Sequence, residues 1–184
     1  FKVPLAAKGE VPLSKGGKAD LRISAKNMEI RPLAAAFLPG VSLGGNADLD
    51  LFLAGRVGEN LSPVFAASIP MLSLQGVLLE NVKATVKPGK ENDYALSLEG
   101  LLGESILDVA GKASFTPGGV RISLSNRKRI DLGKTAAALS ASSAGIVAGT
   151  ADFTMKGLMG TETYSWEGRI TSPSLGIYRT EAKE

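Results

Sequence analysis

The sequence predicts an all-β protein: an elongated, curled antiparallel or mixed sheet, U-shaped in section, with an apolar groove and one or two short helices. Three observations lead there. Apolar and polar residues alternate with period two in segment after segment, which puts one dry and one wet face on each strand. The segments are separated by Gly, Pro and Asn at turn positions. The chain is 44% hydrophobic but only 5% aromatic, enough to fold but poor in the rings that fill a wide interior. A parallel sheet buried on both sides would instead read as solid apolar runs.

The elements follow in order. Leu21, Ile23 and Ala25 alternate with Arg22 and Ser24. Arg31 to Leu38 reads as a short helix, with Pro32 in its first turn and Pro39-Gly40 stopping it. Leu49, Leu51 and Leu53 alternate with Asp48, Asp50 and Phe52, and Val82, Ala84 and Val86 with Lys83, Thr85 and Lys87. Pro88 to Asp93 is a polar hairpin loop before Tyr94, Leu96 and Leu98. Gly100 and Gly103 read as turn residues around Leu101-Leu102. Leu107 and Val109 precede a turn at Thr116-Pro117-Gly118-Gly119, and Val120, Ile122 and Leu124 follow it. Asp131 is placed to cap a second helix running to about Ser143, with Leu132, Ala136 and Leu139 on the face that lies against the sheet. Phe153 and Met155, then Tyr164 to Ile170 with the lone Trp166, complete the set.

A short template recurs: Gly17-Lys18-Ala19-Asp20-Leu21, Gly45-Asn46-Ala47-Asp48-Leu49, Gly111-Lys112-Ala113-Ser114-Phe115 and Gly149-Thr150-Ala151-Asp152-Phe153. In it the Gly ends a turn, the Ala packs tightly, the polar residue faces water and the last residue enters the dry face. Repetition of one strand unit at uneven spacing points to an elongated stack of strands with insertions. The whole chain, 1–184, is read as a single such segment of a larger repeat-like protein. Phe1-Lys2-Val3-Pro4 has neither an initiator Met nor a charged stretch leading into an apolar one, which points to a mature chain or a piece of a longer one.

Chemistry is constrained by what is missing. The chain has no His and no Cys, which removes Cys/His zinc sites, thiol nucleophiles, disulfides and histidine general bases. Gly133-Lys134-Thr135 fails as a phosphate loop because Lys128 stands where the first Gly belongs. Asp48 and Asp50 share one strand face and read as solvated surface rather than as facing glycosidase carboxylates. Arg127-Lys128-Arg129 could meet phosphate, but with no aromatics interleaved it reads as a solvated turn. The net charge of +3 demands no anionic partner. The reading is therefore non-enzymatic, with no cofactor, no metal and no nucleic acid.

The dry face becomes the informative feature. Its residues are mostly Leu, Val, Ile and Ala, walls suited to hydrocarbon. A sixteen-carbon tail at about 0.8 kcal/mol per CH₂ carries on the order of 12 kcal/mol of transfer free energy, so a continuous apolar path would remove most of the barrier to crossing water. The inner wall is expected to hold Leu49, Leu51, Leu53, Leu96, Leu98, Leu107, Val109, Ile122, Leu124, Phe153 and Met155. Arginine at Leu51 or Leu98 is expected to impair lipid passage while leaving folding largely intact. A trough of roughly a dozen strands spaced about 4.8 Å apart would run on the order of 55 to 60 Å.

The phrase Pro32-Leu33-Ala34-Ala35-Ala36-Phe37-Leu38-Pro39-Gly40 through Gly45-Asn46-Ala47-Asp48-Leu49 to Gly55, its continuation Leu61 to Ile69, and the echo from Leu132 through Gly149-Thr150-Ala151-Asp152-Phe153 to Pro173 resemble the repeats of the TamB and AsmA-like family of Gram-negative envelopes. The resemblance implies a β-taco with an apolar interior in a periplasmic protein. It implies an inner-membrane anchor outside this segment, phospholipid as cargo moving between the two membranes, and an Omp85-class outer-membrane barrel as partner, with an aid to outer-membrane protein assembly. Two other readings stay open: a structural or adhesive β-solenoid with a closed core, and a chaperone groove for unfolded outer-membrane strands.

Overall fold

The computed structural model describes residues 5–32, 35, 41–90, 93–140, 145–160 and 164–178, which form one sheet of eleven strands. In chain order these are β1 (Leu5–Glu10), β2 (Lys18–Glu29), β3 (Leu43–Arg56), β4 (Ser62–Leu74), β5 (Val77–Pro88), β6 (Asp93–Leu102), β7 (Ser105–Thr116), β8 (Gly119–Asn126), β9 (Ile130–Asp131), β10 (Val147–Met159) and β11 (Tyr164–Ile177), with helix α1 (Leu132–Leu139) between β9 and β10. Their spatial order is their sequence order from β1 to β8, then β10 and β11, with the short β9 beside β10. Every described pairing is antiparallel, so the "mixed" alternative falls away. The reason is local: two-residue links at Gln75-Gly76, Gly103-Glu104 and Pro117-Gly118 turn the chain straight back, whereas a parallel pair needs a long crossover. Gln75 and Gly76, at φ 51° and 83°, have the left-handed backbone that tight hairpins require.

The sheet does not close into a barrel: among the described residues β1 is one edge and β11 the other. Its solvent-accessible surface is 12783 Å², against about 8,400 Å² for a compact monomer of this mass. Among the described residues no second layer of sheet covers it. The path of ten strands measures about 43 Å at about 4.8 Å per spacing, shorter than the trough expected from the sequence.

Curvature comes from interruptions of register. The ladders shift between Ala25 and Met28, between Gly45 and Asp48, and between Glu80 and Lys83. Asn27 and Asn81 sit in the first and last of these at φ 52° and 53°, a conformation that Asn tolerates better than most residues. An extra residue on one strand bends it and raises its twist. Next to these bulges lies the buried cluster of Ala47, Ile69, Leu72, Leu79 and Val82, with Ile30, Leu43, Leu49, Leu98, Leu102 and Leu107 packed against it.

The recurring template maps onto this packing. Its four alanines, Ala19, Ala47, Ala113 and Ala151, are all buried, at 0%, 1%, 8% and 3% exposure. Its glycines do not end turns as expected, except Gly17. Gly45, Gly111 and Gly149 lie inside strands. At Gly45 and Gly149, with φ 130° and 118°, a Cβ would run into the carbonyls of Met71 and Ser174 on the next strand. The template is thus a device for close strand approach.

Other expectations need adjusting. Gly100 belongs to β6, and the turn comes later at Gly103-Glu104. The second helix is shorter than expected. Asp131 caps it, accepting a hydrogen bond from the Lys134 backbone N–H at 3.0 Å, but it stops at Leu139. None of its residues is fully buried: of the expected face Leu132 and Ala136 are half-buried, and Leu139 is exposed. The helix expected over 31–38 falls mostly outside the described residues, of which Arg31, Pro32 and Ala35 have helical backbone.

Candidate functional site

Alternation fixes only that each strand has an apolar face. Register decides whether those faces coincide. One rung crosses the sheet without a break: Ala7, Ile23, Leu51, Phe65, Val86, Leu96, Gly111, Leu124, Met155 and Gly168 are successive cross-strand partners. Directly opposed residues of an antiparallel ladder point the same way, so these all lie on one face. A second rung joins Ala25, Leu49, Ala67, Ala84, Leu98 and Val109 and ends on Asn126. A third joins Leu21, Leu53 and Pro63, and on the other half of the sheet Tyr94, Ala113, Ile122, Gly157 and Trp166. Leu107 opposes Gly100, and Phe153 opposes Ile170. All eleven sequence-selected positions therefore share this face.

They do not share one environment. Leu49, Leu98 and Leu107 pack against the buried cluster, and Val109 is itself buried at 7% exposure. Leu51, Leu53, Leu96, Ile122, Leu124 and Phe153 are half-buried, and Met155 is exposed. Among the described residues the face is closed by its own side chains near the bulges and more open elsewhere, apart from small residues such as Ala19 and Ala113. A shallow depression over Gly111, Leu124 and Met155 lies in the uncovered part. Sequence reasoning missed Phe65, Val86 and Ile23 as members of the same rung, and Trp166, whose ring covers the space over Gly157. The aromatic-over-glycine pairing is visible only once Gly157 and Trp166 are known to be opposite.

The other face carries the charges. Arg22 donates to Asp50 through Nε at 3.0 Å and Nη2 at 2.8 Å. Lys26 pairs with Asp48 at 2.9 Å, and Asp48 also accepts the Asn27 backbone N–H at the bulge. That hydrogen bond, with the Lys26 ammonium, holds the Asp48 carboxyl below its ordinary value, against a small opposing effect of burial. Arg127 reaches Asp108, Ser97 and Glu99, and Arg129 reaches Asp152. Arg127 and Arg129 of the basic cluster are thus neutralised by carboxylates on neighbouring strands. Asp48 and Asp50 are occupied by cations across the ladder rather than facing each other over a cleft. Among the described residues no three His, Cys, Asp or Glu side chains gather as a metal site, and no helix is long and apolar enough to cross a membrane. Asn126 is a polar residue at the apolar face. Its side chain accepts the Phe153 N–H and donates to Ala151, Asp152 and Lys128, sealing the gap where β8 gives way to β9.

Compared with known proteins, the chain matches no family model, no curated protein and no solved structure.

Proposed function

We propose that the protein is a non-enzymatic lipid conduit whose apolar face holds phospholipid acyl chains as they pass between two membranes. The observation that carries this reading is the unbroken apolar rung from Ala7 to Gly168 with no second layer over it among the described residues. An aliphatic surface of that length left in water costs about 25 cal/mol per Å², and acyl chains cover it without directed polar chemistry. Within the same proposal, the resemblance to TamB and AsmA-like proteins supports a periplasmic location, an inner-membrane anchor outside this segment and an Omp85-class barrel as outer-membrane partner. The antiparallel meander disfavours the solenoid alternative, whose successive coils stack in parallel.

Trp166, the chain's one tryptophan, stands on the apolar face as a built-in reporter. Phospholipid with brominated acyl chains, added to delipidated protein, is expected to quench its fluorescence saturably, and native mass spectrometry should show phospholipid bound in a fixed ratio. Absence of both quenching and bound lipid would end this proposal.

A further inference from the structure

The strand tips away from the bulges are not alike along the sheet. Over β6 to β10 they carry rings on the apolar face and unpaired cations on the polar one. The tips are Asp93 on β6, Thr116 on β7, Gly119 on β8 and Met159 on β10. Each of these strands has a described neighbour on both sides, so none is an edge.

On the apolar face Tyr94 opposes Ala113, and Phe115 opposes Val120, which in turn opposes Met159. The Tyr94 and Phe115 rings meet edge to face with centroids 5.6 Å apart. Phe115 is nevertheless 64% exposed. Trp166 continues the rung of Tyr94, Ala113, Ile122 and Gly157, and it too is exposed.

On the polar face one rung runs Lys87, Ala95, Lys112, Ser123, Lys156. Its cations fall on every second strand, about 10 Å apart at about 4.8 Å per spacing. Arg121 lies on the same face of β8, two residues from Ser123 toward the tip. Lys87, Lys112, Arg121 and Lys156 are exposed and make no ion pair among the described residues. The described carboxylates beside them are Asp93, which accepts the Ser114 hydroxyl at 2.6 Å, and Glu167, opposite Lys156. The row keeps a net positive charge. Over β2 and β3, by contrast, Arg22 and Lys26 are paired with Asp50 and Asp48.

Rings on one side of a strand tip and cations on the other suit a membrane–water interface. Tyr and Trp settle at headgroup level with the ring in the apolar boundary and the polar atom in water. Lys and Arg lay their stems along apolar surface and bring their charge to anionic headgroups. The centre of a protein–protein patch is instead depleted of lysine.

We propose that this rim, the tips of β6 to β10, docks on the surface of a phospholipid bilayer that bears anionic headgroups. Phe115 and Tyr94 enter the interface, and Lys112, Arg121 and Lys156 meet the phosphates. This goes beyond the conduit reading and does not rest on it: the bilayer is held at the strand tips whether or not single acyl chains enter the apolar face.

Vesicle flotation tests it. The wild-type chain is expected to float with vesicles of equal parts phosphatidylglycerol and phosphatidylcholine and to float poorly with phosphatidylcholine alone. Binding should fall as salt rises, since exposed charges are screened over about 8 Å at physiological ionic strength. The combined variant Lys112→Glu, Arg121→Glu, Lys156→Glu should bind at least about thirtyfold more weakly. Its side chains are exposed and unpaired, so it should unfold near the wild-type temperature. Phe115→Ala removes a mostly exposed ring, leaves every charge, and should weaken binding about fivefold. Lys128→Glu makes the same kind of charge change beyond the far end of β8 and should bind as wild type. The combined variant should still show quenching of Trp166 by brominated phospholipid, which separates the rim from the conduit. A wild-type chain that stays off the anionic vesicles, equal binding to both vesicle types, a combined variant that still floats, or a Lys128→Glu variant as impaired as the combined one would overturn the proposal.

Discussion

The two ends of the trough are made from the same strands and the same alternation, yet one is packed shut and the other is not. Where β3 begins and β4 ends, Ala47, Leu72 and Val82 are buried at 1%, 7% and 1% exposure. Toward the opposite ends of those strands, Leu53, Phe65 and Val86 stay half-exposed with equally apolar side chains. Hydrophobicity does not distinguish them. The bulges do: Asn27, Asn81 and the Gly45–Asp48 shift lie at the closed end, while β2 and β3 run in uninterrupted register from Lys18↔Arg56 to Ala25↔Leu49 at the open end. Local bending brings neighbouring side chains into contact, and an unbent stretch holds them apart. Sealing is a backbone property here, and the open end is where the proposed acyl chains would lie.

The largest expected effect lies at the closed end. Val82→Asp puts a charge where a large side chain is 1% exposed and should cost about 3 kcal/mol or more, read by urea unfolding. A cooperative transition at the wild-type midpoint would show that the buried cluster is not the stabilising centre. A matched pair sharpens the comparison. Leu98 packs against the buried cluster while Leu51 does not, so arginine at the two positions should act differently, contrary to the equal tolerance expected from sequence. Leu98→Arg should lose about 2 kcal/mol of stability. Leu51→Arg should lose about 1 kcal/mol or less, since its stem can lie along the wall with the charge in water, but should abolish lipid-dependent quenching of Trp166. Equal destabilisation by both would erase the distinction between the ends.

The smallest effect concerns the bulge itself. Asp48 has its folded-state carboxyl held below the ordinary 3.8 by the Asn27 N–H and by Lys26. A depressed carboxyl contributes stability that is complete above the unfolded value and is lost as pH falls through the lower folded one. Unfolding curves taken below about pH 4 should therefore show a steeper acid loss in wild type than in Asp48→Asn, with the two parallel near neutrality. An identical acid limb in both would mean that Asp48 contributes nothing at this bend.

How much of this was legible follows from particular residues. The face shared by Leu51, Leu96, Leu124 and Met155 could be chosen strand by strand, because alternation is written in each segment. β4 was not legible as a strand. Pro63 and Pro70 break its pattern, and Pro70 falls at the register break where the missing N–H costs no ladder bond. Asp131 announced the start of α1 through its capping oxygen, but nothing nearby fixed the end at Leu139, since alanines continue a helix as readily as they pack against a sheet. The basic run at Arg127 could be seen but not its neutralisation, because Asp108 and Glu99 come from other strands.

Sequence alone determined that this chain makes strands, which side of each is dry, and where small residues recur, because side-chain periodicity and turn chemistry act over a few residues. Only tertiary structure decided that the dry sides line up into one rung and that bulges shut one end of it. Register, curvature and closure depend on which strands meet, and that is set by contacts between residues far apart in the chain.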